Sequence, residues 1–162
     1  MIPVVEIQKL KSQGVFRVKI KPLVKDFIKP EYKRELSGGM DIYLQEDITL
    51  TVGVDNVINL GFAAEVPEGH VALLLPRSST GMKGIALRNT VGVIDADYRG
   101  EWIAHLVVDE QGDNSFGDKI TYKRGERILQ FLVVPFYKAT IELTDELSHT
   151  GRGESGFGGT GK

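Results

Sequence analysis

The chain has 162 residues and no cysteine, with 20 Lys plus Arg against 22 Asp plus Glu, a formal charge of -2. That length suits one domain with a core of its own. The missing thiols exclude a disulfide framework, thiolate zinc sites and thiol nucleophiles, and the near-neutral charge excludes a global basic field that would capture nucleic acid.

The opening MIPVVEIQKLK places its apolar residues before its lysines, the reverse of a signal peptide. No apolar run approaches the ~18 residues of a membrane span. Residues 1–14 read as an appended arm or strand, and the chain is expected to be cytoplasmic (host cytoplasm if viral), with neither membrane nor nucleic acid as partner. From residue 15 to 150 the periodicity is two. Phe16-Arg17-Val18-Lys19-Ile20-Lys21 alternates apolar and charged residues, as a half-buried strand does. Met40-Asp41-Ile42-Tyr43-Leu44 repeats the pattern and turns Asp41 to the outer face, where it can hold a metal's water shell. Further short runs occupy residues 56–62, 70–75, 85–87, 102–108, 119–122, 127–134 and 140–143. Gly, Pro, Asp, Asn and Ser clusters separate them at the spacing of a sandwich or barrel. A single short helix is expected near Ser78, with Ser and Thr as caps. The class is all-β. His70, His105 and His149 lack zinc-ligand spacing, and Trp102, Tyr122 and Tyr137 read as core or interface aromatics.

Three segments can carry chemistry. Pro76-Arg77-Ser78-Ser79-Thr80-Gly81 follows a buried strand and offers N–H groups, hydroxyls and a guanidinium together, suited either to an anion or to ordinary helix capping. Asn89 through Gly100 contains Gly92 between apolar residues, which suggests a bent hairpin whose free backbone groups can read a base edge. It ends in Asp95-Ala96-Asp97-Tyr98, where one acid can orient a water as general base, or where the acids simply make a turn. Six of the 19 glycines lie between Gly151 and Gly161, so residues 151–162 are expected to be a mobile tail. With Arg152 and Phe157, that tail is either a lid over a nucleotide or a plain free terminus. Gln130 interrupts the apolar run Ile128-Leu129-Gln130-Phe131-Leu132, where a buried amide needs partners. The loop at 109–117 reads as a solvated hairpin turn.

Taken in order, five strings resemble the trimeric deoxyuridine triphosphatase (dUTPase) family. They are Ser37-Gly38-Gly39-Met40-Asp41-Ile42, Pro76 through Gly81, Asn89 through Gly100, Gly125-Glu126-Arg127-Ile128-Leu129-Gln130, and Arg152 through Gly161. The resemblance implies a jelly-roll-like β-barrel, assembled as a homotrimer whose three active sites each draw on all three chains. It implies hydrolysis of dUTP to dUMP and pyrophosphate with Mg²⁺, which keeps uracil out of DNA and supplies dUMP for dTTP synthesis.

The same resemblance assigns roles. Asp95 orients the attacking water, and Gln130 assists. Tyr98 fills the space of a ribose 2′-hydroxyl. Asn89 with the backbone of Gly92, Val93 and Ile94 binds uracil. Ser78 and Ser79 bind phosphate oxygens while Arg77 holds the acidic framework. Asp41 reaches Mg²⁺ through water. Arg152 clamps the γ-phosphate, Phe157 stacks on uracil, and Gly158, Gly159 and Thr160 close the phosphate end. The sequence departs from the family pattern at Gly38, Arg88, Ser155 and Gly159. A dCTP deaminase, alone or bifunctional with dUTPase, is the nearest alternative. The glutamate that such chemistry needs has no counterpart, since the corresponding stretch Glu101-Trp102-Ile103-Ala104-His105-Leu106 contains no matching internal acid. A trimeric protein that kept the barrel but lost catalysis is the other.

Overall fold

The computed structural model describes residues 17–109 and 117–154. The expected arm at 1–14 and the closing residues Phe157, Gly158, Gly159 and Thr160 lie outside the described residues, as do most of the 109–117 loop and Ser155.

Among the described residues ten strands and one helical turn follow in order: β1 Lys19–Pro22, β2 Met40–Ile42, β3 Ile48–Thr51, β4 Asn56–Glu65, β5 His70–Pro76, α1 Ser78–Gly81, β6 Ile85–Leu87, β7 Gly92–Ile94, β8 Glu101–Val108, β9 Lys119–Tyr122 and β10 Leu129–Pro135. Two four-stranded sheets, β1-β4-β8-β6 and β2-β10-β5-β7, face each other, and β3-β9 forms a third ribbon. Every pairing is antiparallel, the architecture of the expected jelly-roll-like barrel. Alternating residues supply the core from both sheets. Phe62 on β4 and Trp102 on β8 lie 5.1 Å apart between ring centroids, and Trp102 meets Phe131 on β10 at 5.2 Å. The Phe62–Trp102 pair lies within the first sheet, and the Trp102–Phe131 pair ties that sheet to the second. No helix among the described residues is long and apolar enough to cross a membrane.

Several expectations change. Ile48–Thr51 is a strand that the sequence reading overlooked. It buries Leu50 and pairs with β9 from Ile48↔Tyr122 to Thr51↔Lys119. Residues 140–143 form no strand. Ile141 is 86% and Leu143 93% exposed, and alternation makes no strand where no neighbour supplies ladder hydrogen bonds. Trp102 and Tyr122 are buried in this chain's core, whereas Tyr137 is exposed on the single chain and so is not a core residue. The segment Asn89 through Gly100 does not form the expected hairpin around Gly92. β6 pairs with β8 in one sheet and β7 with β5 in the other, so the chain crosses between sheets. The helix lies where expected, but its cap is Arg77, with no side-chain cap bond. Thr80 instead donates its hydroxyl to the Ile128 carbonyl at 2.9 Å, anchoring α1 to the approach to β10.

Candidate active site

One concentration of polar groups grows from the centre of the second sheet. β10 lies between β2 and β5, so Gln130 stands opposite both Asp41 and Leu75. Period two sends Ile42, Leu129 and Leu74 into the core, while Asp41 and Gln130 share the other face. That face is not open water. Asp41 is only 7% exposed, because Arg77 Nε reaches its Oδ1 and Arg127 Nη1 its Oδ2, each at 2.9 Å. Asp41 thus faces away from the core as expected, and that outer face is roofed by two guanidinium groups. Arg77 also donates to the Arg127 carbonyl at 3.0 Å, and its backbone N–H to Ile128 at 3.0 Å.

Around this core lies a groove of about 630 Å³ lined by Lys33, Arg34, Ser37, Gly38, Gly39, Asp41, Arg77, Ser78, Arg127 and Gln130. Ser79 is exposed on α1 but does not line it. Gln130 donates its amide to the Pro76 carbonyl at 3.2 Å. A Cβ on Gly39 would fall 2.4 Å from Gln130 Oε1, so only glycine leaves that amide its place. Lys33, Arg34 and Arg127 are groove residues to which the sequence reading gave no role; the basic letters of KPEYKRELSGG were the available signal for the first two, and the string Gly125-Glu126-Arg127 for the third. Lys33 bonds Glu31, and Tyr43 donates its hydroxyl to the same carboxylate. Lys33 first, and Tyr43 second, hold that carboxyl below the usual carboxylate range, while Glu31 raises the Lys33 ammonium. Tyr43 lies between the Lys33 ammonium and the Arg127 guanidinium, 5.0 and 5.9 Å from its ring centroid, an arrangement favoured by the ring's negative face.

Four cationic side chains thus line the groove, and two of them, Arg77 and Arg127, engage both oxygens of its one carboxylate. Among the described residues no cluster of three or more His, Asp or Glu can hold an ion directly. This donor set seats an anion. A divalent cation would fit here only as a passenger on that anion, with Asp41 able to meet its water shell because a carboxylate bonded once at each oxygen retains lone pairs.

A second cleft, about 290 Å³, is lined by Leu74, Leu87, Arg88, Asn89, Gly92, Val93, Ile94, Ile103 and His105. Gly92 pairs with Leu74, and a Cβ there would meet the Leu74 Cβ at 2.9 Å. Glycine therefore brings β7 close to β5 at this point. Thr90 holds φ at 66°, in the left-handed region that β-branched residues avoid. That strained residue follows Asn89, which lines the cleft. Asp95 follows β7 directly. It is exposed, and its carboxylate has no partner among the described residues. The Tyr98 N–H closes a turn on the Asp95 carbonyl at 3.2 Å, so the two acids are in a turn and not on a regular strand face. Tyr98 is 43% exposed. Arg152 lies in the exposed segment before residue 155.

The two clefts share no lining residue. Within one chain, Asp41, Arg77, Ser78 and Gln130 come together, and Asn89, Gly92, Val93 and Ile94 come together with Asp95 next in the chain. The structure does not bring the two sets into one cavity.

The dUTPase family model matches residues 25–161. A deoxyuridine 5'-triphosphate nucleotidohydrolase of Ehrlichia canis is 41% identical over 137 residues, 82% of this chain and 86% of the relative. One from Dictyoglomus turgidum is 38% identical over 153 residues, 91% of this chain and 99% of its own. Among solved structures, the Staphylococcus bacteriophage 80alpha dUTPase with dUPNHPP superposes with a TM-score of 0.80 at 28% identity, covering 90% of this chain and 99% of that one.

Proposed function

Because this chain belongs to the dUTPase family and is a dUTP diphosphatase, we propose that it cleaves dUTP into dUMP and pyrophosphate by in-line attack of a water that Asp95 orients on the α-phosphate. The observation that carries the mechanism is the division into a cationic groove and an apolar cleft with no shared wall. A triphosphate suits the first and a flat base the second, so a complete site joins the groove of one copy to the cleft of another. Three copies close such a ring, and the tail of the third completes each site.

In this reading Arg77, Arg127 and Ser78 receive the phosphates, with Ser79 at their edge, and Gln130 holds the water or an α-phosphate oxygen. Asn89 and the backbone at Gly92, Val93 and Ile94 bind uracil through its polar edge, and the narrow cleft excludes a 5-methyl group. Tyr98 lies against deoxyribose. Arg152 takes the γ-phosphate, Phe157 covers the base, and Gly158, Gly159 and Thr160 wrap the phosphate end. The barrel of residues 15–150 thus carries catalysis, and residues 151–162 carry closure. Bound to the triphosphate, Mg²⁺ supplies charge neutralisation and polarisation of phosphoryl oxygens. The protein's part is positioning and electrostatics, the main needs of phosphoryl transfer. Hydrolysis removes dUTP as a source of uracil in DNA synthesis, and the product dUMP feeds dTTP formation in the cytoplasm. Deamination of dCTP is not favoured, since the family model and the curated relatives described above are dUTPases.

Pyrophosphate release measured in parallel on dUTP, dTTP, dCTP and UTP tests this reading. Release from dUTP alone is expected; ammonia from dCTP, or equal use of all four, overturns it. Gly39→Ala is expected to lower kcat by about 10²-fold, the scale of a misplaced group near reacting atoms. The melting temperature should hardly change, because the displaced Gln130 amide is the far end of a flexible side chain. Steady-state kinetics with a thermal melt checks both, and wild-type turnover would remove Gln130 from the mechanism.

A further inference from the structure

We propose that Glu101, with Gly100, positions Tyr98 from beneath and thereby sets the preference for deoxyribose over ribose nucleotides, an inference that rests on the assignment of Tyr98 to the sugar. The support begins in a neighbouring strand. The pairing of β4 with β8 shifts register between Asn59 and Ala63, and Gly61 within that irregularity holds φ at +75°. A bulge leaves its backbone groups off the ladder, and both are claimed elsewhere. The Gly61 carbonyl accepts from the Leu23 N–H at 2.9 Å. The Gly61 N–H donates to Glu101 Oε1 at 3.0 Å. The side chain of Glu101 is thus fastened to the bulge, and its backbone carbonyl accepts the Tyr98 hydroxyl at 2.9 Å.

Gly100 is the floor of the same device. A Cβ there would lie 2.4 Å from the Tyr98 hydroxyl oxygen, 2.6 Å from Cζ and 2.9 Å from Cε2, so the aromatic edge rests where any side chain would stand. Arg99 braces the preceding turn, donating to the Ala96 carbonyl at 2.6 Å and the Tyr98 carbonyl at 3.0 Å. A half-exposed ring gains little from packing. Its angle is therefore set by the hydroxyl bond and the floor, and a ring free to swing no longer excludes a 2′-hydroxyl.

The test is the ratio of kcat/KM for dUTP to that for UTP. Glu101→Ala is expected to lower the ratio at least about fivefold, the scale of one neutral hydrogen bond. Glu101→Gln should keep it, since the amide oxygen still accepts from Gly61. In a Tyr98→Phe background, Glu101→Ala should change the ratio no further. Gly100→Ala, which leaves the bulge intact, should lower the ratio even if Glu101→Ala fails to fold. Full preference in Gly100→Ala or in folded Glu101→Ala overturns the inference, as does an equal loss with and without the Tyr98 hydroxyl. Equal use of dUTP and UTP by the unaltered enzyme overturns the sugar assignment itself, and the inference with it.

Discussion

Asp95→Asn is expected to lower kcat for dUTP by about 10²–10⁴-fold, the usual contribution of a positioned general base, while the affinity for a non-hydrolysable dUTP analogue changes little. The asymmetry follows from where the residue stands. Asp95 leaves the end of β7 exposed and without a partner among the described residues, so no fold-bearing contact is lost with its charge. Asparagine preserves shape and one acceptor oxygen, which suffices for a hydroxyl contact. It cannot take a proton from water at neutral pH. Single-turnover kinetics beside a titration of the analogue separates the two effects. Unchanged turnover would move the base elsewhere; a matching loss of affinity would make Asp95 a binding group only.

Asp41→Ala is expected to remove most activity and to lower the melting temperature by roughly 5–10 °C, because two guanidinium groups lose their common counter-charge. Removing one partner of a buried ion pair costs about 3–5 kcal/mol. Arg77 and Arg127 keep side-chain exposures of 29% and 31%, so solvent screens part of that, leaving about 2–3 kcal/mol. For a chain of this size each kcal/mol moves the midpoint by roughly 2–4 °C. Arg127→Ala should cost less, since Asp41 keeps Arg77. Inorganic pyrophosphate should recover part of the Asp41→Ala loss by taking the carboxylate's place between the guanidinium groups. A melt unchanged by the substitution would show that the cage is not a fold-bearing element. A melt indifferent to pyrophosphate would show that the groove is not an anion seat.

Much of the scaffold was readable from local pattern. Met40-Asp41-Ile42 alternates because one face must meet a core, and the Ser-rich segment after β5 makes one helical turn because a Pro-preceded strand end leads straight into it. The turn reading of Asp95 through Tyr98 likewise agrees with the hydrogen bond that closes it. Alternation failed in both directions where pairing decided the outcome. Ile48–Thr51 became a strand because β9 lies beside it, and residues 140–143 did not because none does within the described chain. The roof over Asp41 was equally hidden, since Arg127 is 86 positions away along the chain.

By itself the sequence determined the all-β class, the order of the polar segments and the family to which they belong, because periodicity and motif spacing are properties of neighbouring residues. Only the tertiary structure decided that Asp41 is caged by two guanidinium groups, that Lys33, Arg34 and Arg127 share its groove, and that the cationic groove and the apolar cleft form separate cavities in one chain. Those outcomes depend on strand register and on which distant residues are brought to the same face. Contacts of that kind are selected by packing the two sheets together, and no local run of residues encodes them.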